Sequence, residues 1–328
     1  MRRRCVCLNI MLPFLRGLPL LFAYVLGAAA GFCAAPPDLS LPPNISAILD
    51  HIYSGRSVQA LQEIRQLEQQ SPNDPLGYLL EAEVEWWKIW CVSAEFKYGM
   101  TLARHHDKAP GDAHYFQLTS KAYSLAEANL HQHDAAPMYL YAAMADALAS
   151  RLYSLRGEYR ATARVGVRAR ENFLKALSLD PSLGDAYTGL GLYNYYVDTL
   201  STLARVLRFF MGIPGGSKEE GIRQLYRGIR EGQLTPQLAR FYLAVNLHNY
   251  DQRYDEALKV ISPLVEKYPE NPIFQLIRGD LYAKAGQKSQ AEASYRAASS
   301  ALPQVPEADC RAKLARIVQE SQAALNPR

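Results

Sequence analysis

Residues 254–269 read YDEALKVISPLVEKYP, and residues 288–303 read KSQAEASYRAASSALP. The second stretch begins 34 residues after the first, so Tyr254, Ala257 and Pro269 align with Lys288, Ala291 and Pro303. The window from Leu238 to Val305 also holds Gly279, Tyr282, Gly286, Tyr295 and Ala298 at the spacing of a helix–turn–helix unit. A fixed period of this kind marks stacked helical hairpins, none of which can bury its apolar stripe alone. Gly279 and Ala291 are expected where the two helices of a hairpin cross, with Tyr282 and Tyr295 filling the space they leave. Pro269 and Pro303 are expected to end the second helices, because Pro cannot continue them.

The same pattern extends toward the N-terminus. Gly55, Ala60 and Pro72 are spaced like Gly286, Ala291 and Pro303. Tyr153, Gly157, Ala169, Phe173, Ala176 and Pro181 repeat it, and Tyr187, Leu190 and Gly191 open a further unit. These residues resemble the tetratricopeptide repeat (TPR), clearly over 150–305 and more weakly over 41–149. The fold class expected is therefore all-α, an α-solenoid of antiparallel helix pairs in a right-handed superhelix. Residues 45–149 are the divergent repeats, 150–305 the regular ones and 306–328 a capping helix with Leu314, Ile317 and Val318 inward. Between Ala60 and Ala169 the spacing exceeds three periods by seven residues. A divergent unit with longer helices is expected there, divided by a loop at Pro110–Asp112 with Asp112 as N-cap.

A second irregularity falls at about 197–216. Leu200, Leu203, Val206, Leu207, Phe210 and Met211 have amphipathic helical spacing. Gly212-Ile213-Pro214-Gly215-Gly216 follows, and Ser217 with Glu220 forms a capping box. The glycines lack the spacing of a phosphate loop, and no strand precedes them.

The formal charge of +4 is concentrated at the start. Residues 1–35 contain Arg2, Arg3, Arg4 and Arg16 and no acid, so 4 − 4 leaves the remainder near zero. A nucleic-acid partner would call for a basic excess in the body of the chain. Basic residues, an apolar run from Gly17 to Ala35, then Pro36 and Pro37 follow the plan of a signal peptide or N-terminal anchor. The chain is thus expected to be exported, periplasmic or extracellular, with a Pro-rich linker at 36–44. Membrane association through the N-terminus or the 199–212 helix is the variant reading. Cys91 and Cys310 survive cleavage but lie far apart in a linear array, so a disulfide between them is not expected.

Trp86, Trp87 and Trp90 read as a packing helix or an aromatic contact surface, with Trp86 and Trp90 on one face and Trp87 elsewhere. His105, His106, His114, His131 and His133, with Asp107 and Asp134, could suggest a metal. They lack H-E-x-x-H or Cys partners, and no metal or other cofactor is assigned. No catalytic constellation emerges, so the chain reads as a non-enzyme. The TPR resemblance implies a concave groove that binds peptide or protein segments, as scaffolds in envelope assembly or secretion would. The positions it transfers are Tyr195, Tyr196, Tyr242, Asn246, Asn249 and Tyr250. Asn supplies hydrogen bonds to a main chain, and Tyr supplies area with a hydroxyl. The family's carboxylate clamp is absent, since Tyr242 and Asp280 stand where Lys and Asn would be needed. The alternative is a helical metal-handling protein or enzyme built on His105–Asp134.

Overall fold

The computed structural model describes residues 39–93, 107–131, 135–200, 208 and 212–325. These residues form α-helices and one short 3-10 turn, with no strand among them. The helices are α1 (Ile45–Tyr53), α2 (Ser57–Gln70), α3 (Pro75–Ser93), α4 (Gly111–Asn129), α5 (Ala135–Leu155), α6 (Tyr159–Leu179) and α7 (Gly184–Asp198). There follow α8 (Lys218–Glu231), α9 (Pro236–Asn249), α10 (Tyr254–Lys267), α11 (Pro272–Lys284), α12 (Lys288–Ala301) and α13 (Ala308–Leu325). Successive helices pack as antiparallel pairs, and the odd-numbered helices α3, α5, α7 and α9 neighbour one another along the inner face.

The period read from the sequence is the period of the helices. α10 and α12 begin at Tyr254 and Lys288 and end at Lys267 and Ala301, 34 residues apart at both ends. The hairpin turn repeats as well. Gly55, Gly157 and Gly286 each lie two residues before a second helix, with φ of 78°, 74° and 74°. The next N–H reaches back five residues, from Arg56 to the His51 carbonyl, Glu158 to Tyr153 and Gln287 to Tyr282. This left-handed C-cap satisfies a helix-end carbonyl and suits glycine, which has no Cβ to clash. Gln252 occupies the corresponding place before α10 with φ 54°.

The crossings behave as their small residues dictate. A Cβ on Gly279 would meet the Tyr295 ring at 2.5 Å, and Ala291 is fully buried. Tyr295 is buried there and its hydroxyl donates to Asp280 at 2.6 Å, whereas Tyr282 is only half-buried. A close backbone-to-backbone crossing joins α7 to α8. A Cβ on Gly221 would lie 2.7 Å from the Gly191 carbonyl oxygen, and one on Gly191 would lie 2.9 Å from that of Gly221.

The helices α3 and α4 that bracket the divergent stretch have 19 residues each, longer than the 14 of α10 and α12, as expected, and α5 and α6 beyond it have 21. Asp112 does not cap α4. Pro110 is the N-cap, and Asp112 sits in the first turn. There the Arg156 guanidinium takes both carboxylate oxygens, with Nε and Nη2 each at 2.7 Å, and one oxygen also accepts the Ala109 N–H at 3.2 Å. A buried bidentate ion pair outcompetes a local cap for the same carboxylate. Within the Pro-rich segment, Leu39 is buried against the core.

The disulfide expectation is overturned. Cys91 of α3 and Cys310 of α13 are bonded, with Cα atoms 5.5 Å apart across 219 residues of sequence. The linear-array premise fails because the helix pairs turn far enough for the last helix to pack against α3. Further contacts join the two ends. Tyr268 donates to Asp50 at 2.7 Å, the Asn271 amide to the Tyr53 carbonyl at 2.8 Å and Ser57 to Glu307 at 2.7 Å. Arg56 pairs with Glu270 at 2.8 Å. Leu314, Ile317 and Val318 of α13 point inward as expected, but they cover another helix of the same array rather than an open end.

Trp86 and Trp90 are interior residues, and Trp87 is partly buried against the core. Trp87 pairs edge-on with Trp90 (5.6 Å) and Phe241 (4.9 Å), while Trp86 turns to Tyr115 (6.2 Å). Trp86 and Trp90 are both buried, on the face the spacing assigned to them, while Trp87 is only partly buried. Of the insertion, residues 197–200, 208 and 212–216 are described. Tyr193 donates to the Pro214 carbonyl at 2.9 Å, and Ser217 caps α8 by accepting the Glu220 N–H at 3.4 Å. Among the described residues no helix is long and apolar enough to cross a membrane. Residues 1–35 and most of 199–212, to which membrane association was assigned, lie outside them.

Candidate functional site

The inner face of α5, α7 and α9 carries the residues transferred from the TPR resemblance. Helical spacing places Tyr242, Asn246 and Asn249–Tyr250 on successive turns of α9, opposite Tyr195 and Tyr196 of α7. The Tyr196 hydroxyl donates to Asn246 Oδ1 at 3.0 Å. The Tyr195 hydroxyl lies 3.1 Å from the Asn246 carbonyl and 2.7 Å from Asp251 Oδ2, and Lys218 Nζ lies 2.6 Å from the other Asp251 oxygen. The rings of Tyr195, Tyr196 and Tyr250 form a triangle of 5.9, 5.9 and 6.4 Å. The structure thus brings Tyr195, Tyr196, Asn246 and Tyr250 into one cluster.

Their accessibility differs. Tyr195 and Asn246 are fully buried and form a floor, while Tyr196, Tyr242, Asn249 and Tyr250 are half-buried. The Asn249 amide oxygen lies 2.8 Å from His248 Nδ1. Burial raises the hydroxyl pKa of Tyr196 well above the usual value and that of Tyr250 to about 12. Both phenols therefore stay neutral donors at physiological pH. Among the described residues, Asn246 Nδ2 is buried without a hydrogen-bond partner.

Trp86, which the sequence marked as a packing or contact residue, and two residues that the sequence reading missed, Arg151 and Glu83, extend this face. Trp86 Nε1 donates to the Tyr242 hydroxyl at 3.2 Å. Arg151 Nη1 donates to Glu83 Oε2 at 2.8 Å, and its guanidinium lies 5.3 Å from the centre of the Tyr242 ring. Burial alone would lower the Arg151 pKa, but the Tyr242 and Glu83 oxygens outweigh it and hold it above the usual value. No repeat position flags an Arg–Glu pair between α5 and α3, so only tertiary proximity reveals it. Beside the pair lies a cavity of about 60 Å³, lined by Leu80, Met144, Leu148, Leu192 and Leu238 among others. It has room for a few water molecules.

The histidine region gives a different picture. His105, His106, His133 and Asp134 lie outside the described residues. His114 Nε2 is 3.3 Å from Glu81 Oε1, and Glu81 in turn faces Glu68. Burial, then the charge and hydrogen bond of Glu81, push the Glu68 carboxyl up to about 7. Among the described residues, no group of three or more His, Cys, Asp or Glu is arranged to hold a metal ion.

The helix pairs, their period and the small-residue crossings define an α-solenoid of the TPR type. No protein-family model matches the chain, and no curated protein matches it. Among solved structures, it is similar to YrrB, described as a TPR protein with an unusual peptide-binding site. The identity is 17%, covering 80% of this chain and 100% of that chain, with a TM-score of 0.33. It is also similar to the C-terminal part of a TPR repeat-containing protein from Cytophaga hutchinsonii (13% identity, 86% and 95% covered, TM-score 0.35). A third is yeast Tom70 (12% identity, 86% and 77% covered, TM-score 0.36).

Proposed function

We propose that this chain is an exported, non-enzymatic scaffold that binds an extended protein segment on the inner face of its helix array. The observation that carries the reading is Asn246. Its oxygen is held by Tyr196, while its amide donor is left without an acceptor among the described residues. A buried unpaired donor is unfavourable, and a main-chain carbonyl inserted between the tyrosine rings would satisfy it. The half-buried rings of Tyr196, Tyr242 and Tyr250 offer contact area at low entropic cost. Envelope assembly or secretion is the setting we favour. Export is supported by the basic and apolar plan of residues 1–35 and by the Cys91–Cys310 disulfide, a bond that persists in oxidising compartments.

The test is site-specific photo-crosslinking. A benzophenone side chain replaces Asn249 on the inner face or, as a control, Val58, which is 62% exposed on α2. Discrete adducts with envelope proteins are expected from position 249 alone, and Tyr196→Ala/Tyr250→Ala, shown folded by circular dichroism, abolishes them. The same adducts from position 58, or undiminished adducts in the double variant, overturn the reading.

A further inference from the structure

The charge of the helix array is distributed unevenly. Residues 36–328 are near neutral as a whole, yet α6 holds Arg160, Arg164, Arg168, Arg170 and Lys175 against a single acid, Glu171, giving 5 − 1 = +4. Arg160, Arg164 and Arg168 follow one another at i, i+4 and i+8, so they share one face and span about 12 Å at the helical rise. This face points outward, with all three arginines exposed. The apolar side of α6, with Val165, Ala169, Phe173 and Ala176, is buried.

The arrangement works against the helix that carries it. Like charges at i, i+4 repel, and cations in the first turns oppose the helix dipole. Arg168 is compensated, because Asp146 takes its Nη2 at 2.5 Å and the Tyr123 ring lies 4.1 Å away. Glu158, at the N-cap of α6, is directed to Lys108 at 3.5 Å. Among the described residues, Arg160 and Arg164 have no ion pair, hydrogen bond or ring contact. Tyr159, 70% exposed, stands at the start of this stripe, and Leu174, 42% exposed, lies toward its far end.

We propose that the outer face of α6 is a second docking surface, taking an acidic protein segment whose carboxylates repeat at helical spacing. Charge complementarity selects the sign of the partner, and the width of the charged strip selects its shape. The flanking outer helices are close to balanced. α4 carries Lys121 against Asp112 and Glu127, and α8 carries four cations against three acids. The excess is thus confined to a ridge one helix wide, which a single acidic helix can cover. A flat anionic bilayer would be better matched by a field spread over several helices. This surface is on the opposite side of the array from the tyrosine cluster and does not depend on it.

The experiment uses the chain from residue 36 onward. The probe is a fluorescein-labelled peptide of four Glu-Ala-Ala-Leu repeats, with the Lys-Ala-Ala-Leu counterpart as control, and binding is followed by anisotropy. The acidic peptide is expected to bind at low salt and to be released toward about 0.5 M NaCl, where the screening length falls to a few ångströms. Arg160→Ala/Arg164→Ala weakens binding by about tenfold, since each exposed pair contributes a factor of a few, and Arg160→Lys/Arg164→Lys retains most of it. The alanine pair leaves the unfolding midpoint equal or higher, because neither arginine has an intramolecular partner. Failure of the acidic peptide to bind, equal binding by the alanine variant, or a lowered midpoint overturns the proposal. So does retention of phosphatidylglycerol vesicles by a chain that ignores the peptide, which would assign the ridge to a lipid surface.

Discussion

Replacing Cys91 and Cys310 together by alanine cuts a loop of 219 residues while leaving the non-covalent junction in place. Both positions are buried, at 1% and 5% exposure, so alanine introduces no buried hydroxyl. In the chain-entropy model the bond restricts the unfolded ensemble in proportion to the logarithm of loop length. For a loop of this size that model gives about 5 kcal/mol. The folded array is otherwise held at the same place by the Asp50–Tyr268, Tyr53–Asn271 and Ser57–Glu307 bonds, so the native geometry persists without the link. Urea unfolding, followed by circular dichroism with and without the double substitution, measures the difference. With a slope of roughly 3 kcal/mol per molar urea for a chain of this length, the midpoint falls by about 1.7 M. A second, earlier transition in the variant would have the same meaning, because an array released at its ends unfolds repeat by repeat. An unchanged midpoint and slope, with the wild-type bond verified by intact mass before and after alkylation, would refute the reasoning.

Two further outcomes follow from particular contacts. Gly221→Ala places a Cβ 2.7 Å from the Gly191 carbonyl, a backbone atom that cannot rotate away, and lowers stability by roughly 1–3 kcal/mol in a thermal melt. Glu68 carries a pKa raised to about 7 by burial and then by Glu81, against the ordinary 4.5 of a free glutamate side chain. The folded chain therefore binds more protons than the unfolded one between these values, and this contribution to stability is present below pH 4.5 and lost as pH rises through 7. Glu68→Gln should flatten that decline, gaining about 1 kcal/mol at pH 8 once solvent screening of this half-exposed group is allowed for. Urea midpoints at pH 5 and pH 8 check it.

The tyrosine cluster shows how far the repeat pattern reaches into a site. Tyr195 and Asn246 were legible as inner-face residues because position within the repeat fixes the face. Their burial was not legible, since it depends on how closely α7 and α9 approach. The Arg151–Glu83 pair was invisible for a related reason, because Glu83 lies on another helix and shares no spacing with Arg151. The α6 ridge could have been read from its i, i+4 arginines. Its significance emerged only when Arg168 proved to be paired while Arg160 and Arg164 were not.

What the sequence determined by itself was local and periodic. The 34-residue spacing set the lengths of α10 and α12, glycine marked the left-handed turns, and Gly279 marked a crossing under Tyr295. These follow from backbone sterics and helical geometry, which act within one hairpin and its neighbour. Only the tertiary structure decided that the array turns back until α13 meets α3 and Cys91 reaches Cys310. That closure is the sum of small rotations between successive pairs, each set by side-chain packing at one interface. No single stretch of sequence encodes the sum, so residues 219 apart that read as strangers in a linear array stand 5.5 Å apart in the fold.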